Sequence, residues 1–81
     1  MKSGREAKER EKIAALLREA RVACGLRQVD VAEALGEPQS YVSRYEAGEQ
    51  RLDLVDLRRI CDVLKVSLLE FVRRLEAEHE T

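Results

Sequence analysis

Aromatic side chains are scarce in this chain, which has no tryptophan, a single phenylalanine (Phe71) and two tyrosines. Proline is rarer still, with Pro38 standing alone, and there are only four glycines. Beside a charged content of 38%, this shortage of rings and turn-formers favours an all-α bundle with solvated outer faces. No apolar run approaches the roughly 20 residues that cross a bilayer, and the opening MKSGREAKEREK lacks the apolar stretch of a signal peptide. A membrane is therefore not among the expected partners, and the expected location is cytoplasmic. Histidine occurs once, as His79, and the two cysteines, Cys24 and Cys61, have no further cysteine or histidine at ligand spacing. Both thiols are expected to be small, partly buried core fillers. Without a Cys/His pair, a glycine-rich phosphate loop or a metal-ligand cluster, neither enzymatic activity nor a cofactor is expected.

What is present suffices for one domain. A chain of 81 residues with 44% apolar content can build a single compact core without help from metal or disulfides. Its 15 basic and 16 acidic residues leave a net charge of −1, which argues against clinging to nucleic acid by bulk charge. The distribution is uneven, however: residues 1–21 carry seven Lys/Arg against four Glu, whereas 22–51 and 52–81 are each net −2. Affinity for DNA would have to come from placed side chains and from the basic N-terminal segment.

Apolar periodicity predicts five helices. In the first, Ile13, Leu16, Leu17, Ala20 and Cys24 form one stripe, and Gly25 supplies a stop. Upstream, Ser3 and Glu6 match a capping box, although residues 1–11 have almost nothing apolar to bury. They read either as a solvated helical extension or as a disordered arm, so residues 1–12 are set apart as a basic N-terminal extension of a domain over 13–81. The surplus of Lys2, Arg5, Lys8, Arg10 and Lys12 hints at an arm over phosphates, beside the plainer reading of a solvated face. The second helix is predicted over Gln28 to Leu35, with Val31, Ala32 and Leu35 inward. After a turn of Gly36, Glu37 and Pro38, a third helix starts at Pro38, where the missing N–H costs no hydrogen bond, and buries Val42 and Tyr45. Asp53 caps a fourth that carries Leu54, Leu57, Ile60, Cys61 and Leu64 inward. Ser67 and Glu70 form a second capping box ahead of the Leu68, Phe71, Val72, Leu75 stripe of the fifth.

Two short helices joined by a three-residue turn, the second opening on small and polar side chains, have the layout of a helix-turn-helix. Ala32 is small where the helices would cross, Gly36 sits where the turn favours positive φ, and Val42 is apolar where the third helix docks on the second. Through GLRQVDVAEALG at 25–36, PQSYVSRYEAG at 38–48 and LDLVDLRRICDVLKVSLLEFV at 52–72, the chain resembles the lambda-repressor/Cro-type (Xre) helix-turn-helix family over residues 13–72. The resemblance implies a five-helix lambda-repressor-like DNA-binding domain, and a transcriptional regulator that binds double-stranded DNA sequence-specifically as a homodimer.

The resemblance also implies roles for individual residues. Gln28 matches the position that opens the second helix and binds a phosphate. Gln39, Ser40 and Arg44 match positions that face base edges, and Gln50 and Arg51 a loop that touches the DNA backbone. The chemistry agrees, since Gln pairs bidentately with adenine and Arg with guanine in the major groove. Arg44 shares a face with Ser40 and Gln39 at i, i+4 and i, i+5. Tyr41 and Ser43 flank that face, where hydroxyls reach phosphate oxygens, and for Tyr41 a packing role stands beside the DNA contact. Arg21 and Glu46 match a recurrent pair of the family, expected to tie the first helix to the end of the third.

Several residues depart from the family pattern. Arg27 stands where a Ser or Thr usually caps the second helix, and Pro38 replaces the usual capping hydroxyl of the third. Val29 and Leu69 are apolar where acidic residues are common. Leu69 lies about 100° from the stripe of the fifth helix, so burying it takes an additional surface, and Leu69 and Val72 are the expected homodimer interface. An antitoxin or a restriction-modification controller of the same fold is an alternative reading. So is an adaptor that binds a protein partner and has lost DNA binding, for which the net charge is the argument.

Overall fold

The computed structural model describes residues 3–79, with backbone alone for Ser3 and His79. Lys2, the Ser3 hydroxyl and the His79 imidazole, which enter the sequence reading, lie outside the described residues. The described chain is a bundle of five helices: α1 (Ser3–Ala23), α2 (Gln28–Leu35), α3 (Gln39–Glu46), α4 (Leu54–Leu64) and α5 (Leu68–His79). Among the described residues no helix is long and apolar enough to cross a membrane.

Residues 3–12 are helical and continuous with the rest of α1. Alanine, glutamate, lysine and arginine are strong helix formers, and Glu6 in the first turn and Arg21 in the last oppose the ends of the helix dipole. The helix ends one residue earlier than its apolar stripe suggests. Cys24 falls in the following turn and is exposed, with its thiol directed at the Leu64 carbonyl at 2.7 Å. Its reading as a core filler is corrected, because the chain turns away through Gly25, at φ 76°, before Cys24 can reach the interior. Cys61 is the buried thiol, and burial pushes its pKa up.

The helix ends are set by local chemistry. Gly36 adopts the left-handed conformation at φ 72° and closes α2, with Glu37 N–H donating to the Ala32 carbonyl at 2.9 Å and Gly36 N–H to that of Glu33 at 3.1 Å. Lys65 closes α4 in the same conformation at φ 60°, without glycine's freedom from Cβ crowding. Arginine has no acceptor, so the Arg27 side chain cannot cap α2. Instead the Asp30 carboxylate accepts Arg27 N–H at 2.8 Å and the same residue's guanidinium at 2.9 and 3.1 Å. Pro38 is the extended residue before α3 rather than its first helical residue, and its carbonyl accepts Tyr41 N–H at 2.9 Å. Asp53 and Asp56 cap α4 reciprocally, and the Ser67 hydroxyl accepts Glu70 N–H at 3.0 Å to open α5.

One apolar core joins all five helices. Leu16, Leu17, Val31, Val42, Tyr45, Ile60, Cys61 and Leu64 are almost wholly out of water, and Phe71 of α5 belongs to the same cluster. Burying a large aliphatic side chain is worth about 1.5–3 kcal/mol, so this cluster holds the short helices in place where their own propensity would not. α2 packs on α3 and α4, while α1 packs on α3 and α5.

Candidate nucleic-acid interface

α2 and α3 meet through the turn of Gly36, Glu37 and Pro38, and a residue of α4 secures that turn. Arg59 donates from Nη2 to the Leu35 carbonyl at 2.6 Å and lies 3.9 Å from the Glu37 carboxylate. A cation on the last carbonyls of α2 also complements the negative end of its dipole. Sequence reasoning missed Arg59, because nothing in the spacing of α4 shows that this arginine faces a turn 24 residues away.

Val42 and Tyr45 are buried, and Tyr41 is half-buried against Tyr45, with ring centroids 5.6 Å apart in an edge-on arrangement. Burial and the nearby Asp56, Glu37 and Asp53 carboxylates raise the Tyr41 pKa, so its hydroxyl stays protonated. Tyr45 is pushed above the ordinary tyrosine range, chiefly by burial. Gln39, Ser40, Ser43 and Arg44 are all exposed. At helical pitch they span a sector of about 140°, opposite the side docked on the core. That sector offers amide, hydroxyl and guanidinium groups with no large apolar side chain among them.

Behind the sector runs a hydrogen-bonded chain. Arg21 donates to Glu46 from Nε at 2.7 Å and from Nη2 at 3.1 Å, and from Nη1 to the Leu26 carbonyl at 2.9 Å. Side-chain exposure is 12% for Arg21 and 3% for Glu46, so the pair is shielded from solvent. The bond to Glu46 is the main reason the Arg21 pKa rises further. Gln28 then donates from Nε2 to Glu46 Oε1 at 3.0 Å, and its Oε1 accepts Gln39 Nε2 at 3.1 Å. A carboxylate only accepts, so Glu46 dictates which way the Gln28 amide faces, and Gln28 in turn dictates the orientation of Gln39. The sequence reading treats Arg21 and Glu46 as a separate structural pair, whereas the structure joins them to Gln28 and Gln39 in one network.

Gln50 is half-buried and Arg51 exposed, in the loop between α3 and α4. Leu69 is 67% exposed and Val72 37% exposed on the outer side of α5, and Leu54 and Val55 at the start of α4 are each 65% exposed. The inward reading of Leu54 is thereby corrected: at helical pitch it stands at the margin of the stripe that Ile60, Cys61 and Leu64 bury.

A helix-turn-helix family model matches residues 17–71, which span all of α2, α3 and α4. Among solved structures, an XRE-family like protein from Pseudomonas syringae pv. tomato is 35% identical, with 88% of this chain and 87% of that chain covered and a TM-score of 0.81. This chain belongs to the Xre-type helix-turn-helix family. Its family and fold are those of DNA-binding regulators. Also similar is the restriction-modification controller protein C.AhdI from Aeromonas hydrophila, at 31% identity over 79% of this chain and 97% of that one, with a TM-score of 0.74. The restriction-modification controller protein C.Esp1396I, solved as a tetramer in complex with its natural 35-base-pair operator, is 25% identical over 90% of this chain and 96% of that one, with a TM-score of 0.81. No curated protein is significantly similar to the chain.

Proposed function

We propose that this Xre-type protein is a homodimeric transcriptional regulator, with α3 of each subunit entering the major groove of one half-site in the cytoplasm. Gln39, Ser40 and Arg44 read base edges, and Gln28, Tyr41, Ser43, Gln50 and Arg51 hold phosphates. The observation that carries this reading is the solvent-facing polar sector of α3 backed by the Arg21, Glu46, Gln28, Gln39 chain. A Gln39 amide that gives one N–H to Gln28 keeps its other N–H and its Oε1, the pair of groups that adenine takes bidentately. Orientation set before binding removes part of the entropy cost of ordering that side chain on DNA. Residues 13–81 act as the DNA-binding domain and residues 1–12 as its basic extension, of which 3–12 lie on the same helix as Ile13. The exposed Leu69 and Val72 of α5 form the surface on which two subunits pair.

Within this function, a restriction-modification controller is the reading that the resemblance to C.AhdI and C.Esp1396I favours. The test of direct readout compares variants across single-base changes of the best site at one salt concentration. Arg44→Ala costs about 1–3 kcal/mol on the best site and relaxes the preference at one base pair, whereas Arg51→Ala weakens every sequence alike. Gln28→Ala weakens every sequence and in addition loosens the base that Gln39 reads. Retention by Arg44→Ala of the wild-type preference at every position refutes readout by Arg44.

A further inference from the structure

Between the first turns of α1 and the loop after α3 lies an open groove of about 370 Å³. Ile13, Tyr45 and Leu52 line it together with Arg5 and Arg10 from α1 and Arg51 from the loop. None of these three arginines forms an ion pair among the described residues, unlike Arg21, Arg27, Arg59, Arg73 and Arg74. Glu6 and Glu9 also line the groove and offset part of the charge, which leaves one positive charge in excess. Cations gathered around one concave surface repel each other and raise its affinity for an anion.

The position of the groove names the anion. Gly48, at φ 76°, passes so close to α1 that a Cβ there would lie 3.5 Å from Glu11 Cγ, so the loop after α3 rests on the N-terminal half of α1. Arg51 and Gln50 therefore share a surface with Arg5 and Arg10, continuous with the loop assigned above to the DNA backbone. We propose that Arg5 and Arg10 complete, with Arg51, a second phosphate-binding site that grips the DNA backbone beside each half-site. This inference rests on the reading of α3 as the major-groove helix. It gives the basic start of α1 a role that net charge alone would not suggest, because a few placed guanidinium groups suffice where the molecule as a whole carries −1.

The test uses the full chain carrying Arg5→Gln and Arg10→Gln together, titrated against its best site and against an unrelated duplex over a range of salt concentrations. Each phosphate contact contributes about 0.9 to the slope of log affinity against log salt. The double variant then shows a slope shallower by up to about 2, and affinity lower by about eightfold per lost contact near 0.1 M salt, on both duplexes alike. Arg5→Lys with Arg10→Lys keeps the charge and restores the slope. Thermal melting without DNA checks the fold, and should the glutamine pair prove unstable, the single Arg5→Gln variant is read instead, with half the change in slope. A wild-type slope in the glutamine variant, with Arg44→Ala still relaxing the base preference, overturns this site and leaves the reading of α3 standing. Absence of any sequence preference in the wild-type protein overturns both.

Discussion

Replacing Arg21 with alanine tests the network behind α3 most directly. The substitution strips Glu46, whose side chain is 3% exposed, of two charge-assisted hydrogen bonds, and it strips the Leu26 carbonyl of one. Leaving one member of a buried pair without its partner costs about 3–5 kcal/mol. Gln28 still donates one bond to Glu46, and water can reach the space that the guanidinium vacates, so the lower end, about 3 kcal/mol, is expected. A domain of this size holds only about 4–12 kcal/mol in total, so the loss is a large share of its stability. At about 4–8 °C per kcal/mol, the melting temperature should fall by roughly 12–24 °C. Urea titration of the same variant should show a lower midpoint with an unchanged slope, the sign that stability moved while the unfolded surface did not. Replacing both partners by apolar residues of similar volume should recover much of the loss, because no buried charge is then left alone. A melting temperature for Arg21→Ala within a few degrees of wild type would refute the reasoning.

Two further outcomes follow from the surface. Leu69→Glu should weaken self-association in sedimentation while leaving helical content intact, since Leu69 is 67% exposed in the single subunit and the proposed pairing would take it out of water; a wild-type chain that sediments as a monomer at micromolar concentration and binds DNA singly would remove the basis of this prediction. The Asp30 pKa is held below its ordinary value, first by the Arg27 guanidinium and then by the Arg27 backbone N–H. A depressed folded-state pKa means that the stabilisation is present above the unfolded value, near pH 4, and is lost as pH falls through the folded one, so Asp30→Asn should flatten stability against pH below about pH 4 and an unaltered acid limb would count against it.

Much of the fold was legible because it rests on local rules. The stripes at Leu16, Leu17 and Ala20, at Val31, Ala32 and Leu35, and at Ile60, Cys61 and Leu64 are buried as their spacing implies. Asp53 and Ser67 open helices and Gly36 closes one through bonds to their own neighbours, which a one-dimensional reading can see. Cys24 and Pro38 were misplaced by one residue each at helix ends. There two local signals compete, a stripe against a glycine stop and a permitted first turn against an extended residue, and spacing does not rank them.

The sequence by itself determined the five helices, which of their sides are apolar, and the polar composition of α3, because each depends on residues within about one helical turn of one another. Tertiary structure decided the rest. Only packing brings Arg21 to Glu46 across 25 residues, Gln28 to Glu46 across 18, and Arg59 to the Leu35 carbonyl across 24. Likewise only packing lays the basic start of α1 against the loop at Gln50 and Arg51, where arginines distant in the chain line one groove. Hydrogen bonds and charge interactions of this kind act over a few ångströms of space and are indifferent to sequence separation, so no periodicity along the chain records them.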